Sequence, residues 1–393
     1  MADEHCACLL CGTSEPGRVV GTRGRFGVAV TNVVCPHCSL VYVSPRPSRS
    51  ALAQYYAHEY RAHFDEGGVA YAQRDGQCVG PSDAAFDAEK EAWHQDQART
   101  AGLLAPMGNG ARVLEVGCRQ GRTLTILRDR FGITPMGIEP DVREAAQATA
   151  AGIECFAGVL EDFDVGERRL DVIQLFHVLE HLHDPLDALL RFRRWLAPGG
   201  TLLLEVPNVH QPYGSLEGNF FQNAHLSSFS IDTLTALLGR AGFRVRQSFD
   251  QQTLVVAATP SPGVAELPLP FTRELWVDAE HEPEWVFSRL RNYAELFDLA
   301  QAITRDDRRV AVVTRTADLL AGPCFPHFAL DVLASCTSAL MAGSEAHSAL
   351  RLARSLAAGP QPSEVAGAAA DLSRELGLLL AQSDLRRARG EHP

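Results

Sequence analysis

The chain has 393 residues, of which 46% are hydrophobic and 21% charged, and its formal net charge is −12 at pH 7. That length exceeds one compact core and points to two or three domains, while the acidic balance argues against a nucleic-acid partner, which calls for a basic field. No apolar run reaches the ~18 residues of a membrane helix, and the acidic start MADEHCACLLCG lacks the basic-then-apolar order of a secretory signal, so the expectation is a cytoplasmic protein with no membrane partner.

The first feature in chain order is a set of paired cysteines. Ten cysteines in a cytoplasmic chain suggest metal or chemistry rather than disulfides. Cys8 and Cys11 form one C-x-x-C knuckle, and Cys35 and Cys38 form a second. Each knuckle turns two thiolates toward one centre, and two knuckles complete a tetrahedral S4 site. Gly12 suits the tight backbone after the first knuckle. The pairs bracket the β-rich stretch RVVGTRGRFGVAVTNVV, which favours structural Zn2+ over a redox dithiol. Cys6 reads as a bystander, and the other five cysteines read as small buried hydrophobes. Residues 1–48 are therefore expected to form a small zinc ribbon.

SPRPSRS is a turn-rich joint. Residues 49–104 then show helical spacing in ALAQYYAHEYRAHF and again from Glu89 to Thr100, on either side of a loop-like DEGGVAYAQRDGQCVGPSD. They are expected to form a helical lid or substrate region. From Ala111 the pattern changes to short, β-branched, apolar runs: ARVLEV, PMGIEP, IECFAG, LDVIQLF and TLLLEVP. Such runs suit strands buried on both faces of a parallel sheet. Amphipathic segments separate them, the last being PLDALLRFRRWLAPGG, with Pro-Gly-Gly expected as its stop. After the helix IDTLTALLGRAGF, the stretch RVRQSFDQQTLVVAATP holds two strands joined too tightly for a crossover, so an antiparallel hairpin is expected. The predicted fold class is α/β: a doubly wound, Rossmann-like sheet over 105–258 with an antiparallel edge hairpin. The zinc ribbon precedes it. Residues 259–393 follow as a proline-rich linker, a helix at EPEWVFSRLRNYAELFDLAQAI, a strand at RRVAVVT and alanine-rich helices, a mostly helical C-terminal region.

VLEVGCRQG ends the first of the sheet strands with an acid and a turn bearing glycines at both ends. Open α/β sheets bind ligands at such strand-to-helix turns. Glu139 ends the next strand at the ~20-residue offset where an acid can take both hydroxyls of a ribose.

With these stretches in view, the chain resembles the class I S-adenosylmethionine-dependent methyltransferases over about residues 105–258. VLEVGCRQGRT is similar to their first motif, GIEPD to their ribose motif, GVLEDF to their adenine-flanking segment, and LDVIQLFHVLEHLHDP and LAPGGTLLLEVPN to their later motifs. The cysteine module, LVYVSPRPS and the tyrosine-rich helix resemble, more narrowly, the zinc-containing sugar C-methyltransferases of antibiotic pathways and their small-molecule relatives. The resemblance implies S-adenosylmethionine as cofactor. Gly117 and Gly121 would allow its close approach, Glu115 would sit near its amino group and Glu139 would bind its ribose. Leu160 and Glu161 would border the adenine, and Phe176 and His177 would form the pocket floor. The close spacing of His177, Glu180, His181 and His183 is of a kind that can hold a metal, but FHVLEHLHDP is common in the resembled family without one. The resemblance makes His225, in NFFQNAHLSSFS, the base that takes the acceptor's proton, with His181 second. A Tyr-x-Glu-His cluster in the sugar C-methyltransferases reads Gln222, Asn223, Ala224, His225 here. The missing tyrosine and glutamate favour an O- or N-acceptor over carbon. Tyr55, Tyr56 and Tyr60 could close over that acceptor. The implied substrate is a small molecule, such as a sugar or natural-product intermediate, and a homodimer is compatible with the reading. The rivals are a zinc-ribbon RNA methyltransferase and a methyltransferase fold reused for binding or non-methylating chemistry.

Arg119 stands where such loops usually carry a third glycine. Its side chain could reach solvent, could pair with the cofactor's carboxylate, or could block the pocket. A blocking arginine would bury an unpaired charge at high cost. A long flexible cation on a turn usually reaches water, so the first account is preferred.

Overall fold

A computed structural model of the chain describes residues 3–55, 73–74, 77–78, 84–261, 283–303 and scattered positions between 315 and 377. Tyr56, Tyr60, the RRVAVVT stretch at 308–314 and most of the alanine-rich end lie outside the described residues. The chain divides into two compact units. One comprises Met1–Glu15, Leu40–Val209 and Asn223–Arg273; the other comprises Pro16–Ser39, His210–Gln222 and Glu274–Pro393.

In chain order the elements are β1 (Arg18–Arg23), β2 (Ala29–Val34), β3 (Val41–Val43), α1 (Arg49–Gln54), α2 (Ala84–Leu104), β4 (Arg112–Val116), α3 (Arg122–Phe131), β5 (Thr134–Glu139), α4 (Val142–Ala150) and β6 (Glu154–Ala157). They continue as β7 (Leu170–Phe176), α5 (Pro185–Trp195), β8 (Leu196–Pro207), β9 (Ser227–Ser228), α6 (Ile231–Arg240), β10 (Phe243–Asp250), β11 (Thr253–Pro260) and α7 (Pro283–Ile303).

The larger unit is built on a seven-stranded sheet in the order β6-β5-β4-β7-β8-β11-β10. Neighbours from β6 to β8 run parallel, and β11 is antiparallel to both β8 and β10. The expected hairpin is present, but its second strand enters the sheet and its first lies at the edge. β4 and β7 at the centre are almost wholly buried, which is why their sequences read as continuous apolar runs instead of alternating ones. Val113, Val172, Leu203 and Ala257 of the strands meet Leu124 and Leu127 of α3 in one core. Ala98 and Ala101 of α2 and Ala105 just after it join the core, and their small side chains let that long helix lie close to it. Removing a core leucine such as Leu124 would cost about 2–5 kcal/mol.

Helix starts are specified locally. Asp141 accepts from the backbone N–H groups of Arg143 and Glu144 to open α4. Asp184 caps α5 ahead of Pro185, and Ser230 with Thr233 forms a capping box on α6. One expected boundary moves: α5 stops at Trp195, and the Leu196–Gly200 stretch opens β8 instead of ending the helix. The residue before a proline is pushed toward extended backbone, so Pro198 ends the helical run early. Thr259 and Pro260, expected in the linker, belong to β11.

In the smaller unit, β1 and β2 form an antiparallel pair. The Glu217 carboxylate accepts from the backbone N–H groups of Thr22 and Arg23, at 2.8 and 3.2 Å. Arg18 lies over the Phe287 ring of α7, 3.7 Å from its centroid, and the Tyr293 hydroxyl of α7 donates to Gly214. Among the described residues no helix is long and apolar enough to cross a membrane.

Candidate functional site

The carboxyl ends of β4, β5 and β7 carry the predicted cofactor residues. The turn after β4 holds Gly117 and Gly121 at φ 73° and 71°, in the left-handed region that glycine enters without strain. A side chain at Gly117 would also run into Val178, 2.7 Å from where its Cβ would stand. The turn folds over β5, and any side chain at Gly137 would collide with the Cys118 thiol. Glycine is thus required at Gly137 by packing and at Gly117 by both packing and backbone.

Glu139 is 7% exposed, and its two carboxylate oxygens are fixed by different backbone groups. Arg119 N–H donates to Oε2 at 2.9 Å, and Asp141 N–H donates to Oε1 at 2.8 Å. Each oxygen retains further acceptor capacity. Glu115 is also buried and accepts a 2.9 Å hydrogen bond from Gln174. Burial pushes its carboxyl up to about 8; the Gln174 bond opposes that rise and the charge of Glu139 adds to it. Leu160 is buried and Glu161 exposed, in the short turn Leu160–Asp162. The Glu161 carbonyl is held by Arg191 of α5 at 3.0 Å.

Arg119 itself has φ 51°, a left-handed backbone rare for a non-glycine residue. This explains why glycine is usual there. Its side chain is 38% exposed, and Nε lies 3.6 Å from Glu144 of α4. The solvent-facing account gains an intrachain partner, an acid on the next helix that sequence spacing did not single out.

Phe176, the last residue of β7, is buried, and His177 after it is left-handed at φ 54°. His177 Nε2 is 3.1 Å from the Glu205 carboxylate and Nδ1 is 3.5 Å from Glu180. Burial is the largest influence on His177 and lowers its pKa, but the neighbouring carboxylates of Glu180 and Glu205 outweigh it and raise the group to about 10. Trp93 of α2 stands beside it, ring centroids 6.0 Å apart. The segment Leu179–His181 is a single 3-10 turn, so His177 and His181 do not share the face of an α-helix, the arrangement their four-residue spacing would suggest.

His181 and His225 are brought together from distant segments. Their rings meet edge to face with centroids 4.6 Å apart, and His181 Nδ1 is 3.0 Å from the Ala224 carbonyl. The pairing of β9 with β3 (Ser227 opposite Tyr42), with Val43 N–H donating to Leu226, anchors the segment bearing His225. Arg46 of the SPRPS joint donates to the His183 carbonyl at 2.8 Å. The joint is a docking element, not merely a turn. Tyr55 is buried.

The thiols of Cys8, Cys11, Cys35 and Cys38 all lie within 4.8 Å of one another, a cluster that excludes Cys6. Two residues the sequence reading overlooked are Gln174, the partner of Glu115, and Glu205, the partner of His177. Each is a buried polar residue inside an otherwise apolar strand, and that mismatch was the available signal.

Residues 92–248 match the family described as a methyltransferase domain. The stretch covers the glycine turn after β4, Glu139, the Glu180–His181 turn and His225, and it ends within β10. A tRNA U34 carboxymethyltransferase of Methylococcus capsulatus is 32% identical over 193 residues, which cover 45% of this chain and 58% of that protein. A protein of Mycolicibacterium smegmatis described as an S-adenosylmethionine-dependent methyltransferase is 28% identical over 165 residues, covering 41% of this chain and 63% of its own length. The chain thus spans about three-fifths of each of these curated relatives. Among solved structures, a 1,6-didemethyltoxoflavin-N1-methyltransferase of Burkholderia thailandensis aligns at a TM-score of 0.43 and 16% identity, over 61% of this chain and 100% of that one.

Proposed function

We propose that the protein is an S-adenosylmethionine-dependent methyltransferase acting on a hydroxyl or amine of a small molecule. The observation that carries the donor assignment is Glu139: a buried carboxylate at the carboxyl end of β5, held by two backbone N–H groups beside a left-handed glycine turn. This is the chemistry a ribose diol requires, and the left-handed glycines of the turn suit close approach of a ligand to its backbone. Glu115 would meet the donor's ammonium, Leu160 and Glu161 its adenine, and Phe176 with His177 its underside. S-adenosylmethionine, when bound, supplies a methyl group activated on a sulfonium.

The chain's own task is to orient the acceptor and remove its proton. His225, packed against His181, is the proton acceptor in this reading. The two sit in a buried cluster with Glu180, screened from bulk water. Residues 105–258 would then be the donor-binding domain and 49–104 a lid over the acceptor, with Trp93 of α2 beside His177 in support. The four-thiol cluster supports one structural Zn2+, because four thiolates leave no open position for substrate. Metal analysis of reduced protein is expected to give about one zinc per chain, and a zinc-free, folded protein would overturn that assignment.

The relatives named tRNA U34 carboxymethyltransferases favour a second reading, a tRNA acceptor. The net charge of −12 opposes it. The test is transfer of labelled methyl from S-adenosylmethionine to nucleotide sugars and pathway intermediates, set beside bulk tRNA. Label on a small molecule supports the reading, and label only on tRNA replaces it with the second.

A further inference from the structure

Glu180 presents a problem that the methyl-transfer reading does not solve. It is 1% exposed, and neither carboxylate oxygen has a hydrogen-bond donor. Burying a carboxylate in that state is costly unless something pairs with it. The nearest nitrogen groups in ion-pair range are imidazole atoms, His177 Nδ1 at 3.5 Å and His181 Nε2 at 3.8 Å, both longer than a good hydrogen bond. His177 stands closer to Glu205, at 3.1 Å, than to Glu180.

We propose that Glu180, His181 and His225 form a binding site for a divalent first-row transition cation. One ligand atom from each lies within 4.8 Å of the others, a spacing that a small inward shift would close around an ion. His181 is arranged as a ligand. Its Nδ1 sits 3.0 Å from the Ala224 carbonyl, which fixes the N–H on that nitrogen and turns the Nε2 lone pair toward Glu180. His225 meets the same ring edge to face, with centroids 4.6 Å apart. Both histidines are positioned by backbone pairing: His181 in the turn after β7, and His225 in the segment fixed by β9 on β3. Two imidazoles and one carboxylate suit manganese, iron, cobalt or zinc. Three protein ligands leave positions open, as in catalytic sites and unlike the closed four-thiolate cluster. This inference extends the proposed methyl transfer at one point: the open positions would take an acceptor that offers two neighbouring oxygens, and His225 would then act by holding the cation instead of taking the proton itself.

The probe is Mn2+, a hard ion that a four-thiolate cluster disfavours. Full-length protein is stripped with a mild chelator, its cysteine cluster reloaded with zinc, and titrated with Mn2+ while electron paramagnetic resonance follows the free ion. The expected result is about one bound Mn2+ per chain, with affinity in Glu180→Gln and in His225→Gln lowered by at least the ~10-fold that outer-shell losses alone cost. S-adenosylmethionine affinity, measured by calorimetry on the same samples, shows whether each variant keeps its fold. A wild-type protein that leaves Mn2+ free at millimolar concentration, or folded variants that bind it as well as wild type, would overturn the inference. Failure of wild type to bind S-adenosylmethionine would instead remove the methyl-transfer reading and leave the cation result standing.

Discussion

The proposed donor side of the site comes from one continuous stretch: β4, its turn, α3 and β5 bring Glu115, Gly117, Gly121 and Glu139 together by local geometry. The proposed acceptor side is assembled differently. Glu180 and His181 follow β7, His225 arrives after a long excursion, and β3 from the front of the chain fixes it by strand pairing. On the donor side most polar contacts run from side chain to backbone. On the acceptor side Glu180, His181 and His225 also face one another side chain to side chain, with His181 held by the Ala224 carbonyl. Substitution should therefore separate the two sides, with donor affinity answering to one and turnover to the other.

The largest expected effect is at His225. His225→Ala should lower turnover by ~10²–10⁴ while calorimetry finds donor affinity unchanged. Equal losses in both would mean the two halves are one cooperative unit, and near-normal turnover would exclude His225 from the chemistry.

Glu115 sharpens the donor side through pH. Its carboxyl is raised from 4.5 to about 8, so between those values the folded protein holds a proton that the unfolded chain has lost. Its contribution to stability must fall as pH rises from about 4.5 to about 8. A donor ammonium placed beside Glu115 should drive that proton off. Calorimetry near neutral pH, in buffers of different ionisation enthalpy, should then show release of about one proton on donor binding, absent in Glu115→Gln. Buffer-independent heats in the wild type would place the ammonium elsewhere.

Arg119 gives the smallest effect. Arg119→Gly relieves a left-handed backbone that costs a non-glycine residue ~1–2 kcal/mol. It also loses a half-exposed pair worth ~0–1 kcal/mol and loosens the unfolded chain by ~0.5–1 kcal/mol. Stability should move by no more than ~1 kcal/mol and donor affinity should stay level. A tenfold loss of affinity would show that the guanidinium leaves Glu144 to reach the donor's carboxylate.

The same contrast explains what could be read from the sequence. The succession of buried strands, the glycine turn after β4, the placing of Glu139 at a strand end and the paired cysteines were legible because each is encoded within a few residues of chain by spacing, turn glycines and apolar runs. The Arg119–Glu144 pair, the Glu205 partner of His177 and the meeting of His181 with His225 were not, because each joins segments whose approach depends on the whole sheet. The early end of α5 was open to prediction from Pro198, but the two glycines after it drew the boundary too far along.

The most direct measurement is titration calorimetry of S-adenosylmethionine into the wild-type chain and into Glu139→Ala. The account predicts binding by the wild type and a loss of ~10- to 100-fold in the variant, the ~1.5–3 kcal/mol of charge-assisted hydrogen bonds to ribose. No binding by the folded wild type, or the same affinity in both proteins, would contradict it.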